Sequence, residues 1–277
     1  MILADKYYKR NIEEILFFGS DDENPRPKWP DGTPAHSKFI GPVFEMYDLM
    51  NGEFPITTLR NTAVFTGIRE IFWIYQHQSN CLDKANELGI SWWDSFDIGN
   101  RTIGNRYGHT VRTHNLVNDL LKGLEENPFG RRHIVDLYQY EGLNSSPGLH
   151  PCAFLTMWSV RRAINGNMYL DMTLVQRSND YIVAGYINKI QYVAFQMMVA
   201  GHLGYMVGTF SHLVQNLHIY DRHMDAADEI LKRGPMITNP KLILLENKNF
   251  YDYTIEDFKL EGVEGIQKLS SKLEIAI

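Results

Sequence analysis

The chain reads as a globular protein of mixed helices and strands, with core enough for one large domain or two small ones. Three observations predict this. Apolar residues recur at helical intervals across residues 2–18, 62–76, 115–125 and 188–207. Aromatic and β-branched residues gather instead in shorter runs at 39–47, 54–58, 133–140, 154–160, 168–178 and 207–220. A length of 277 residues, 44% hydrophobic and 12% aromatic, supplies a substantial core, and no repeat or low-complexity run divides it.

Composition also narrows the function. A net charge of −6, from 27 basic and 33 acidic residues, argues against a broad nucleic-acid-binding face, so any role for arginine is local. The N-terminus lacks the apolar core of a signal peptide, and no apolar run approaches the roughly 20 residues that span a bilayer. A cytoplasmic location without membrane attachment is expected. The two cysteines, Cys81 and Cys152, give neither a disulfide framework nor a four-ligand zinc pattern, and no metal is expected.

Taken in order, Ile2, Leu3, Tyr7, Ile12, Ile15, Leu16 and Phe17 predict an amphipathic opening helix that stops at Gly19. Residues 20–34 are acidic, then rich in proline and glycine, which marks a long surface loop able to fold over a ligand. Strands over 39–47 and 54–58 are separated by the turn-prone Asn51–Gly52. A buried helix over 62–76 carries Glu70 directly before Ile71-Phe72-Trp73-Ile74-Tyr75, and a carboxylate beside so apolar a surface is costly unless paired or functional. Trp92-Trp93-Asp94 follows a short helix, and tryptophan faces suit stacking on a flat heterocycle as well as a core. Leu116, Leu120 and Leu124 line one face of a helix that Asn127-Pro128-Phe129-Gly130 stops. Arg131-Arg132 comes next, a pair that alone reads as solvent-exposed. Strands over 133–140 and 154–160 flank the loop delivering Cys152, and 168–178 alternates as a strand of a mixed sheet. A long apolar helix over 188–207 follows, then a strand over 207–220 ending in His218-Ile219-Tyr220, whose first and last side chains share a face.

The chemistry concentrates between Pro151 and Asn188. Cys152 is a potential thiol nucleophile, and Arg177, in the run Gln176-Arg177-Ser178-Asn179-Asp180, is a cation able to depress a thiol pKa and to hold an anionic group. On spacing alone Cys152 also reads as a structural cysteine and the run as a solvated strand end.

Pro151-Cys152, the Gln176–Asp180 run, Asn188 and Leu217-His218-Ile219-Tyr220 together resemble, in order and interval, the signature of the thymidylate synthase family. The resemblance continues through Phe54–Thr58, Glu70, Trp93-Asp94, Tyr107-Gly108, Arg131-Arg132 and Phe250–Tyr253, and so covers nearly the whole chain. It implies a single α+β domain over residues 1–277, a large mixed and bent sheet flanked by helices, forming a homodimer through the sheet face. It implies reductive methylation of dUMP to dTMP, with 5,10-methylenetetrahydrofolate as co-substrate and dihydrofolate as product. Cys152 would add to C6 of the uracil and make C5 a nucleophile. Arg26, Arg177, Ser178 and the partner's Arg131 and Arg132 would hold phosphate, the arginines by their planar donor forks. His218 and Tyr220 would hold the sugar hydroxyl, and Asn188 would read the base. Glu70 would organise water and proton transfer, and Tyr107 proton removal from C5. Asp180 would take the pterin between Trp93, Leu149 and Ile187, and the tail ending at Ile277 would seal the site.

Some positions depart from the family pattern. Leu59 stands where many relatives carry lysine near the folate tail, Phe96 where many carry tryptophan, Ala153 where histidine often follows the cysteine, and Asn216 where aspartate is usual. Residues 184–188 replace a glycine, proline and phenylalanine pattern. Two further readings therefore stand beside the first. One is a dUMP hydroxymethylase that uses the same folate, and the other is a catalytically silent homologue that binds nucleotide or RNA.

Overall fold

The structure, a computed structural model, describes residues 1–277. It opens with α1 (Leu3–Phe18), which lays Tyr8, Ile12 and Ile15 against the core. Short strands β1 (Ser20–Asp21) and β2 (Ser37–Ile40) follow, then β3 (Val43–Asp48). Next come α2 (Val64–Ile71), α3 (Leu82–Glu87), α4 (Gly108–Thr113) and α5 (Leu116–Glu126). Then β4 (Ile134–Asp136), α6 (Tyr140–Ser145), β5 (Ala153–Arg162), β6 (Met168–Gln176) and β7 (Asn179–Asp180) lead to the long α7 (Gly185–Leu203). The chain closes with β8 (Met206–Val214), β9 (Leu217–Tyr220), α8 (Met224–Lys232), β10 (Lys241–Leu244) and β11 (Phe258–Glu261).

Two sheets carry the fold. Five strands in the order β3-β8-β6-β5-β4 form a mixed sheet in which only β6 and β8 run parallel. Four shorter strands, β1-β2-β9-β7, form the second. Besides one crossing through α7, the chain passes directly from one sheet to the other three times, at Gly41–Pro42, at Arg177–Ser178 and at Gln215–Asn216. These passages lie side by side: the Gln215 amide donates to the Gln176 carbonyl and the Asn179 amide to the Asn216 carbonyl, both at 2.9 Å. The large mixed, bent sheet is thus two sheets sharing one crease. Gly41 is required there, because a Cβ on it would lie 1.9 Å from the Gln215 carbonyl oxygen.

Helix α7 runs through the core and is buried on nearly every face, from Gly185 to Gly201. That explains a helix apolar all round rather than along one stripe. Phe195 stacks on Tyr75 at 4.2 Å and meets Trp158 edge-on at 5.2 Å. A fully buried aromatic of this kind contributes about 1.5–3 kcal/mol relative to leaving it in water.

Several expected elements differ, each for a local reason. Residues 54–58 are not a strand, because the buried Asp5 carboxylate accepts from the Thr57 hydroxyl (2.7 Å), the Thr58 amide (2.8 Å) and the Thr58 hydroxyl (2.6 Å). Side-chain capture of this kind competes with a ladder. The strand expected over 39–47 breaks at Gly41–Pro42, and that over 207–220 at Gln215–Asn216, which are two of the three passages through the crease. The strand expected over 133–140 is only β4, because the Asp136 carboxylate accepts from the Tyr138 amide (2.8 Å) and turns the chain into α6. The helix expected over 62–76 is α2 followed by a π-helical turn over Phe72–Gln76.

Candidate active site

A cavity of about 870 Å³ opens along the crease. The passage at Arg177–Ser178 lines it, and Cys152, Arg177, Ser178, Asp180, His218 and Tyr220 all face it from strand ends, short strands or the loops beside them. Helix α2 adds Glu70, α7 adds Ile187 and Asn188, and loops add Arg26, Trp93, Tyr107 and Leu149. Ile277 lines it too, because the last residue pairs with the proline-rich loop: Lys28 and Ile277 exchange amide-to-carbonyl hydrogen bonds of 2.7 and 2.9 Å.

Cys152 stands just before β5, where the β5–β6 register shifts between Ala153 and Leu155, an irregularity that re-aims side chains. Arg177 faces it across the sheet. The Arg177 amide donates to the Cys152 carbonyl (2.9 Å), its Nε to the Pro151 carbonyl (3.0 Å) and its Nη2 to the His150 carbonyl (2.8 Å), leaving Nη2 3.4 Å from the Cys152 Sγ. The expected depression of the thiol pKa does not follow. Burial pushes the Cys152 thiol up, and although Arg177 and Arg26 pull it down, burial prevails. A thiol raised from its ordinary value is protonated at neutral pH, so any nucleophilic role for Cys152 requires loss of that proton.

Tyr107 closes the other side of the cysteine, its hydroxyl accepting from the Cys152 amide at 3.2 Å. Its backbone sits at φ 49°, ψ −112°, sparsely populated for a residue with a side chain, and strain of this kind gathers at functional sites. Gly108, next in the chain, is forced: a Cβ there would lie 2.1 Å from the Ser79 carbonyl oxygen.

Glu70 is buried against the cavity and accepts three hydrogen bonds, from Trp92 Nε1 (2.5 Å), Trp93 Nε1 (3.0 Å) and Gln191 Nε2 (3.2 Å). Burial raises its pKa and those donors oppose the rise, which brings the carboxyl toward a range useful for proton transfer. Trp93 is less a stacking platform than expected. It is 8% exposed, gives its N–H to Glu70 and packs edge-on against Tyr107 at 5.2 Å.

Asn188 is held from three sides. Its Oδ1 accepts from Gln176 Nε2 (3.0 Å) and Asn179 Nδ2 (3.2 Å), and its Nδ2 donates to Gln191 Oε1 (3.1 Å). Gln176 is fixed in turn, its Oε1 2.8 Å from His212 Nε2. Gln191 bridges Asn188 and Glu70 from one carboxamide. Gln191 and His150 were not singled out from sequence, and Trp92, Gln176 and Asn179 were read only as parts of their runs with no role of their own, yet all five line the cavity. For Gln191 a signal existed: three residues after Asn188 on a helix, it shares the same face.

His218 and Tyr220 stand with ring centroids 4.9 Å apart, and Asn216 Oδ1 lies 3.0 Å from His218 Nδ1, so Asn216 supports the pair despite not being an aspartate. Asp180 accepts from the Val183 amide at 3.1 Å. Phe96 also lines the cavity, whereas Leu59 does not; it is 1% exposed and packs in the core. Arg131 and Arg132 are exposed and do not line the cavity of their own chain. No helix is long and apolar enough to cross a membrane.

The arrangement sets a thiol beside a guanidinium, a buried carboxyl, and a fixed carboxamide facing one apolar cleft. Comparison with known proteins gives it a relative. A family model described as "Thymidylate synthase" matches residues 6–275. Thymidylate synthases of Streptococcus sanguinis (strain SK36) and Streptococcus pneumoniae (strain 70585) are each 47% identical over 281 residues, covering all of both chains. The solved thermostable thymidylate synthase A from Bacillus subtilis superposes with a TM-score of 0.87 at 32% identity, over 99% of each chain.

Proposed function

The chain belongs to the thymidylate synthase family, the premise from which we propose how its own residues divide the work of methylating dUMP to dTMP. The observation that carries the reading is the placing of Cys152 Sγ 3.4 Å from Arg177 Nη2, in one cavity with Asn188, Glu70 and Tyr107.

Arg26, Arg177 and Ser178 hold the nucleotide phosphate, while His218 and Tyr220 hold the deoxyribose hydroxyl. Asn188 reads the uracil edge. Cys152 gives up its proton and adds through sulfur to C6, which places electron density on C5 and on the base oxygen beside Asn188. Burial keeps the Tyr107 phenol protonated, so it orients the water that takes the C5 proton, and Glu70 moves protons through water in the cavity. The cleft fits a reduced folate, because Ile98, Leu149, Val183 and Ile187 offer an apolar wall beside the carboxylate of Asp180, which suits a flat heterocycle with N–H groups. When bound, 5,10-methylenetetrahydrofolate supplies both the carbon and the hydride and leaves as dihydrofolate. Trp93, Leu149 and Ile187 wall it, and Ile277 seals the mouth.

A homodimer completes the site. The five-stranded sheet carries a row in register from Met46 through Ser211, Thr173 and Met157 to Ile134, with large apolar side chains on three of its five strands. Met46, Met157 and Ile134 are 52%, 41% and 49% exposed, an apolar patch that monomers seldom leave open. Arg131 and Arg132 lead into Ile134 at the edge of this face, and there they can reach the partner's phosphate.

The test is incubation with dUMP and methylenetetrahydrofolate, with nucleotide and folate products measured together. Equal amounts of dTMP and dihydrofolate are expected. Hydroxymethyl-dUMP with tetrahydrofolate would mean a hydroxymethylase, and no reaction a silent homologue; full-length likeness to thymidylate synthases favours neither.

A further inference from the structure

We propose that His150 is an additional ligand for the nucleotide phosphate, its imidazole oriented by Tyr138, joining Arg26 and Arg177 and taking up a proton as the phosphate binds. The inference rests on the reading of the cavity as a dUMP site.

His150 lines the cavity two residues before Cys152, and its carbonyl accepts from Arg177 Nη2 at 2.8 Å, which ties its backbone to the guanidinium that would grip the phosphate. Its Nδ1 lies 3.0 Å from the Tyr138 hydroxyl, and the two rings meet edge-on at 5.7 Å. With Nδ1 engaged, Nε2 is the nitrogen left to meet a ligand. The choice of a hydroxyl partner matters. A tyrosine O–H donates to a bare Nδ1 and accepts from a protonated one, so it orients the ring in both charge states.

The charges around the imidazole give the sign of the coupling. Burial first, and then the guanidinium groups of Arg106, Arg177 and Arg26, hold its pKa below the ordinary histidine value. Tyr138 and the Cys152 thiol are its neutral titratable neighbours. A phosphate carrying close to two negative charges, placed against the imidazole, offsets part of the repulsion from these guanidinium groups and favours the imidazolium relative to the free site. Binding then draws a proton onto His150, and affinity for dUMP rises as pH falls through the pKa of the complex.

Titration calorimetry of dUMP and of deoxyuridine, in two buffers of different ionisation enthalpy between pH 6.5 and 8.5, measures both affinity and protons exchanged. His150→Gln keeps a hydrogen bond to Tyr138 but cannot charge. It should weaken dUMP about tenfold at pH 6.5 and much less at pH 8.5, the loss of one charge-assisted hydrogen bond. Deoxyuridine affinity should not change. Wild type should take up more protons on binding dUMP than the variant does, the phosphate's own titration being common to both. Tyr138→Phe, which keeps the ring contact, should fall between the two. Unchanged dUMP affinity and proton count in His150→Gln, or an equal loss for deoxyuridine, would overturn the inference while leaving the functional reading intact. Failure of the wild type to bind dUMP would overturn both.

Discussion

Asn188 is proposed to read the base through a carboxamide whose orientation its neighbours hold. Gln176 and Asn179 hold the oxygen, Gln191 holds the nitrogen, and the order of donors and acceptors runs back to His212. Uracil offers an O4 acceptor and an N3–H donor, whereas cytosine presents an amino group and a bare N3 to the wrong partners. Mismatched buried polar groups cost roughly 1–3 kcal/mol each, so a preference for dUMP over dCMP of about tenfold to more than a hundredfold in kcat/KM is expected. Asn188→Asp should shrink or reverse it, and an unchanged ratio would show that Asn188 does not read the base. His212 leaves a second signature. Burial, reinforced by the Lys189 ammonium, lowers its pKa from 6.5 to about 3. Because the unfolded chain takes up this proton and the folded chain does not, the stability from neutral His212 is whole above pH 6.5. It is lost as pH falls toward 3, by about 1.4 kcal/mol per pH unit at most. Urea unfolding from pH 7 to pH 4.5 should give a shallower acid limb in His212→Asn than in wild type.

Among the elements, α7 carries the largest share of the site and of the polar cost beneath it. One residue after Asn188, Lys189 is 1% exposed and pairs with Glu45 of β3 at 2.6 Å, with the Tyr186 ring 4.0 Å from the ammonium. Asn11 of α1 and Tyr47 also hold Glu45, at 2.8 and 2.6 Å, so the pair joins α1, β3 and α7 under the cavity floor. Removing one buried charge strands the other, so Lys189→Met should cost about 3–5 kcal/mol, whereas Lys189→Met with Glu45→Leu should recover most of that. Thermal unfolding of the two variants decides, and equal losses would mean that the charges are not coupled. None of this was legible in the sequence, where Lys189 is one cation in an apolar helix and Glu45 one acid in a strand 144 residues away. The helices at 3–18 and 116–126 and the strands 153–162 and 168–176 were legible from periodicity, because each buries one regular face or alternates cleanly. What periodicity could not show was the crease. Strands such as 39–47 and 207–220 keep their composition while changing sheets, and only the close backbone approach at Gly41 marks the passage. The site's residues came from resemblance, which says nothing of their electrostatics: Arg177 lowers the Cys152 pKa as its charge implies, but burial outweighs it, and no spacing reveals that burial.

The whole molecule presents an apolar sheet face with a pair of arginines at its edge and a cavity those arginines do not reach within their own chain. A shared site makes a plain prediction. Cys152→Ser chains mixed with Arg131→Ala/Arg132→Ala chains should recover activity in heterodimers, because one of the two sites then escapes both defects. No recovery, with subunit exchange demonstrated, would contradict the shared site. Everything proposed for the cavity converges on one sulfur atom adding to C6 so that C5 can exchange its hydrogen for carbon. The most direct measurement is release of tritium from C5 of labelled dUMP in the presence of methylenetetrahydrofolate, followed alongside dTMP in wild type and in Cys152→Ser. Wild type should release one label for each dTMP formed, and Cys152→Ser should still bind dUMP yet release none. Label release or dTMP formation by Cys152→Ser at a substantial fraction of the wild-type rate would contradict the account.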